Sequence, residues 1–143
     1  MNDVYHHALK LLSARDYTIA QLREKLIKKF GSIDEDAIAE LLKRRFLDER
    51  RFVRNFLAKK AKFSPEYLRD QLLSRGIEES IVVEELQSAT RPSLRDILNA
   101  TMIDWKLGAP LNQRDAARLF RALSRLGYSE DVIREELEPL HEQ

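Results

Sequence analysis

Residues 68–86 read LRDQLLSRGIEESIVVEEL. Leu68 and Leu72 recur at i, i+4, the spacing of one face of a helix. Gly76 then ends that helix, because glycine enters the left-handed conformation without a Cβ penalty. Beyond it Ile81, Val82 and Leu86 restart helical spacing. Two helices joined at a glycine are predicted, and the pattern decides the fold because it occurs twice more. Gly31 is followed ten residues on by Leu41, Gly76 by Leu86 and Gly127 by Leu137. Each Leu is preceded by a glutamate: Glu40, Glu85 and Glu136. The glycines lie 45 and 51 residues apart, a period that signals stacked helical repeats.

Working outward, each glycine-centred pair gains a helix before it. Val4, Tyr5, Ala8, Leu9 and Leu12 share one side of a first helix, over residues 4–13. Thr18 and Gln21 then form a capping box ahead of Leu22 and Leu26, and a third helix spans residues 34–46, its acidic first turn favoured by the helix dipole. The second round opens with a helix over 49–62 carrying Phe52, Val53, Phe56 and Leu57. Ser64-Pro65 supplies an N-cap and a first-turn proline for the next. A third round runs from Leu94 to Trp105, breaks at 108–110, restarts at the cap Asn112 and closes with a helix from Ser129. The reading is all-α: three tandem three-helix repeats, residues 1–46, 47–89 and 90–143, in an elongated, curved array. Residues 90–93 and 108–110 are the breaks between helices that bound and interrupt the third round.

Composition agrees. The 143 residues are 43% hydrophobic, too many for a disordered polyelectrolyte, and hold only four Gly and four Pro, few for a turn-rich β fold. There is no Cys, which removes disulfides, thiolate catalysis and thiolate metal sites. No apolar run matches a membrane span, and Met1-Asn2-Asp3 lacks the start of a signal peptide, so a cytoplasmic protein is expected.

Charged residues make up 34% of the chain, yet the net charge is +1. Resolved along the chain it alternates: +3 over 1–30, −4 over 31–42, +7 over 43–75, −4 over 76–87, +4 over 88–127 and −5 over 128–143. Acids at helix starts explain part of the negative blocks. The basic blocks call for more, since a merely solvated face mixes signs. Arg114, Arg118, Arg121 and Arg125 form one stripe, opposite Phe120 and Leu123, with forked donors suited to phosphates or carboxylates. Arg50, Arg51 and Arg54 are expected to turn away from Phe52 and Phe56, with Lys59, Lys60, Lys62, Arg69 and Arg75 nearby in sequence. Lys25, Lys28 and Lys29 are a weaker counterpart in the first repeat. For each group the plain alternative is the solvated outer face of an amphipathic helix.

Phe46, Phe52, Phe56 and Phe63 fall in or beside the central basic segment. The i, i+4 spacing of Phe52 and Phe56 reads first as a buried stripe and second as a platform for bases. Trp105 reads as core or interface. Enzymatic signatures do not appear: no phosphate loop, no dinucleotide fingerprint and no His-Glu-x-x-His. His6, His7 and His141 read as surface residues at the chain ends, and Asp34-x-Asp36 and Asp48-Glu49 as helix caps. No enzyme, cofactor or metal site is expected.

Leu47-Asp48-Glu49-Arg50-Arg51-Phe52 resembles the Leu-Asp-Asp-x-Arg-Phe segment of the RecX family of bacterial recombination regulators. LRDQLLSRGI over 68–77 is similar to the Leu-rich helix ending in Gly-Ile that follows it there. Residues 13–18 with Leu22 and Leu26 resemble the opening unit, and residues 123–129 with Val132, Ile133 and Leu137 the closing one. Glu49 replaces the second Asp, Val53 stands where Ala is common, and residues 62–65 lack a frequent Gly. Residues 93–112 match least. The resemblance implies a mainly negative regulator of the RecA recombinase, acting in DNA recombination, DNA repair and the SOS response. It would bind the RecA–DNA filament and restrain its growth, ATP hydrolysis and strand exchange. Weak direct DNA binding, single- or double-stranded, and a monomeric state accompany that reading. Basic faces would then meet DNA phosphates or acidic recombinase surface, and acidic third helices basic protein surface or solvent. Two alternatives remain: a stand-alone DNA-binding module of helix-turn-helix outline, and a helical adaptor for some other partner.

Overall fold

The structure, a computed structural model, describes residues 3–141; Met1 and Asn2, read above for a leader, and residues 142–143 lie outside the described residues. Among the described residues the chain forms α1 (Asp3–Ala14), α2 (Ile19–Phe30), α3 (Glu35–Lys43), α4 (Glu49–Lys59), α5 (Pro65–Ser74), α6 (Glu79–Ser88), α7 (Leu94–Asp104), α8 (Gln113–Arg125) and α9 (Glu130–Leu137). A 3₁₀ turn, Glu138–Leu140, follows. No strand occurs among these residues, and none of these helices is long and apolar enough to cross a membrane. The architecture is the all-α helical repeat read from the glycine pattern.

Two compact units divide the chain, one of residues 1–59 with 69–89 and one of 60–68 with 90–143. In the first, α1 packs on α2 and α3 while α4 packs on α6. Tyr5, Ala8, Tyr17, Leu22, Leu26, Ile38, Leu41 and Leu47 make one apolar cluster there. In the second, α8 packs on α7 and α9 around Leu98, Leu119, Leu123, Ile133 and Leu137, with Trp105 and Phe120 partly buried against them.

The three repeat glycines perform the same turn. Gly31, Gly76 and Gly127 have φ of 80°, 81° and 92°, the left-handed region that a Cβ disfavours. Side-chain caps set the starts. Thr18 accepts from the Gln21 N–H while the Gln21 side chain accepts from the Thr18 N–H, completing the capping box. Asp34, Asp48, Ser64, Ser93, Asn112 and Ser129 likewise accept from the backbone N–H three residues on.

Four expectations change. α3 stops at Lys43, three residues early. Arg45 takes a φ of 61°, and the N–H groups of Phe46 and Leu47 both donate to the Leu41 carbonyl, which brings Leu47 into the core at 1% exposure. Phe52 and Phe56 are half-buried, not core. α4 stops at Lys59, and its buried residues are Val53 and Leu57. In the middle repeat Leu86 is only half-buried, whereas Leu41 and Leu137 are buried. There Val82 and Glu85 turn inward, because Glu85 meets two arginines of α4.

Candidate functional site

α4 carries the arginines of the central basic group, and the structure turns all three toward carboxylates. Arg50 reaches Glu84 at 2.8 Å and Glu85 at 3.4 Å, and Arg54 grips Glu85 through Nε and Nη2, both at 3.1 Å. Arg51 lies 2.9 Å from Asp16 and donates to the carbonyls of Arg45 and Phe46, bracing the α3–α4 turn. The acids of α6 therefore neutralise bases of α4 inside the repeat. Arg69 pairs with Glu79 in the same way. Of the +7 segment, these four arginines contribute much less field to a partner than their count implies.

The other cations of this segment are placed differently. Arg75 sets its guanidinium 4.8 Å from the centre of the Phe56 ring and donates to the Gln71 carbonyl at 2.8 Å. Lys59 and Lys62 are exposed, and Lys60 lies 5.0 Å from the centre of the Phe63 ring, which itself stacks on Tyr67. On α2, Lys25, Lys28 and Lys29 are exposed, Lys29 at 6.0 Å from the Phe30 ring centre. His7 is less a surface residue than expected: it makes an edge contact with Phe30 at 5.7 Å, and burial together with Lys29 lowers its pKa.

The stripe on α8 forms as the spacing predicts. Arg114, Arg118, Arg121 and Arg125 are exposed, while Ala116, Leu119 and Leu123 of the same helix are buried. Arg118 differs from its neighbours. It stacks on Trp105 at 4.6 Å and lies 3.9 Å from Asp115, a carboxylate beside the stripe. Arg114, Arg121 and Arg125 have no ion-pair partner among the described residues. Arg121 also lines a groove of about 710 Å³ with Phe120 and Arg134, at the α8–α9 packing.

Several residues escaped sequence reading. Arg91, in the 90–93 break, donates to the carbonyls of Ala61 at 3.2 Å and Phe63 at 2.5 Å. Glu49 caps no helix of its own. Its carboxylate accepts from the Ile19 N–H at 3.1 Å, at the start of α2, and burial raises its pKa. Arg15 lies over the Tyr17 ring at 4.3 Å and edges a groove with Phe52, Lys59 and Arg75. No sequence signal foretells the partners of Arg91 and Glu49, which lie about thirty residues away along the chain.

Comparison with known proteins agrees with this architecture. The family model for the first three-helix domain of RecX matches residues 5–44. Regulatory protein RecX of Thermus thermophilus is 39% identical over 85 residues, which are 58% of this chain and 60% of that relative's length. Regulatory protein RecX of Chromobacterium violaceum is 32% identical over 136 residues, covering 91% of this chain and 86% of that protein. The crystal structure of RecX from Lactobacillus salivarius superposes with a TM-score of 0.68 over 96% of this chain and 94% of the other, at 19% identity, a likeness of fold. Nine helices among the described residues, in glycine-marked threes, and a third of the residues shared across nine-tenths of the chain put this protein in the RecX family of regulatory proteins.

Proposed function

We propose that this RecX-family protein binds the RecA–DNA filament and restrains its growth, ATP hydrolysis and strand exchange. The observation that carries the reading, beside family membership, is the exposed face of α8, where Arg114, Arg121 and Arg125 have no carboxylate partner among the described residues. A guanidinium fork pairs with phosphates and with carboxylates alike, so this stripe suits a surface made of DNA and acidic protein together. Lys25, Lys28, Lys29 and Lys62 extend the set, whereas Arg50, Arg51, Arg54 and Arg69 hold the fold. The three repeats, at 1–46, 47–89 and 90–143, would each present its own face. DNA-dependent ATP hydrolysis by RecA, followed with and without this protein, tests the reading. Slower hydrolysis at stoichiometric amounts is expected; an unchanged rate sinks it.

A further inference from the structure

We propose that the groove edged by Phe52, Phe56 and Arg75 is a binding site for single-stranded nucleic acid, in which a base stacks on the Phe52–Phe56 pair and the flanking phosphates meet Arg15 and Lys59. The Phe52 and Phe56 rings stack with centres 6.2 Å apart and planes inclined by 19°. Arg75 lies over Phe56 at 4.8 Å, and all three side chains line the same groove. Both rings are half-buried where a core role would seal them. The groove holds about 580 Å³, within the range of roughly 300–1,000 Å³ typical of small-ligand sites.

Charge and hydrogen bonding narrow the ligand. Arg15, Lys59 and Arg75 line the groove without an ion-pair partner among the described residues. Its single carboxylate, Asp16, is already bound by Arg51 at 2.9 Å and by the Asn55 amide at 2.9 Å. Gln21 accepts through Oε1 from the Thr18 N–H, which leaves its amide N–H groups, while Asn55 keeps an amide oxygen. An anion with a flat, hydrogen-bonding part uses all of these groups. An acidic peptide uses only the cations, and a duplex keeps its bases stacked away from the rings. The inference deepens the filament reading, but its assay contains no recombinase, so the two fail separately.

Three dye-labelled probes of equal length, an oligothymidylate, an abasic strand and a duplex, are titrated with the full chain at low salt and followed by anisotropy. The oligothymidylate is expected to bind about tenfold tighter than the abasic strand, the scale of base–aromatic stacking. Phe52→Leu, which keeps apolar bulk and loses the ring, should bring the ratio of oligothymidylate to abasic affinity down toward one. Lys59→Glu should weaken both probes alike. Equal binding of oligothymidylate and abasic strand, tighter binding of the duplex, or indifference to Phe52→Leu in a folded protein overturns the proposal. So does displacement of the oligothymidylate by polyglutamate as readily as by unlabelled strand. A readout that needs no variant is photocrosslinking with a 4-thiothymidine strand. Adducts should map to the peptide holding Phe52 and Phe56, and adducts confined elsewhere refute the site.

Discussion

Arg54 holds Glu85 in a two-pronged grip, Nε to Oε2 and Nη2 to Oε1, both 3.1 Å, and Arg50 adds a further bond at 3.4 Å. Glu85 is only 7% exposed, so its charge depends on these partners in place of water. The same glutamate recurs in the other repeats, where Glu136 receives Arg95 at 3.2 Å and Glu40 receives Arg44 at 2.6 Å. Their side chains keep 23% and 24% of their exposure. Glu85→Ala should therefore destabilise the protein by about 2 kcal/mol, the scale of lost hydrogen bonds to a charged group. Glu136→Ala and Glu40→Ala should shift the urea midpoint less. Equal shifts for all three would show that burial of Glu85 does not set its importance.

The repeat glycines separate conformation from crowding. A Cβ on Gly31 meets nothing within 4 Å, so Gly31→Ala bears only the left-handed backbone, roughly 1–2 kcal/mol. A Cβ on Gly127 falls 2.6 Å from Tyr67 Cβ and 2.9 Å from Ser64 Oγ. Ser64 is fixed there, its hydroxyl donating to the Gly127 carbonyl at 3.0 Å. Gly127→Ala should cost clearly more than Gly31→Ala in urea unfolding. An equal cost would mean that the segment carrying Ser64 and Tyr67 yields freely.

What the sequence made legible was whatever rests on local chemistry. Helix starts followed from Thr18, Ser64, Asn112 and Ser129, and stops from the three glycines, because caps and left-handed turns act within four residues. The α8 stripe followed from spacing alone. Partners across loops were not legible. Counting α4 as a basic face overlooked Glu84 and Glu85, about thirty residues away, which the α4–α6 packing delivers to Arg50 and Arg54. The Phe52–Phe56 spacing pointed to the core, but Val53 and Leu57 took that role. A four-residue step marks a face without saying which face is buried.

Glu49 offers a test by pH. Burial raises its pKa in the folded state, so the folded protein binds this proton more readily than the unfolded chain. Above the folded pKa its ionised form lowers stability, and that cost fades as pH falls through the folded value. Glu49→Gln keeps an oxygen to accept from the Ile19 N–H and carries no charge. The variant should be more stable than the natural protein at neutral pH, and its advantage should shrink as the medium is acidified toward the ordinary glutamate range. Urea midpoints of both proteins across that range give the difference directly. An advantage that grows on acidification would mean the bond from Ile19, not burial, governs this carboxyl.

Salt dependence tests the α8 stripe. Arg118 is best left in place, because its stacking on Trp105 at 4.6 Å ties it to packing. Arg114, Arg121 and Arg125 have no ion-pair partner among the described residues, so changing them removes charge without orphaning a carboxylate. Each cation that meets a DNA phosphate releases a counterion and adds about one unit to the slope of log affinity against log salt. Replacing all three by Gln should therefore weaken filament binding at low salt and flatten that slope by roughly two to three units. If the three contact acidic recombinase surface instead, binding weakens with a smaller change of slope, since no condensed counterions are displaced. A folded triple variant with undiminished binding and an unaltered slope would return the stripe to the role of a solvated helix face.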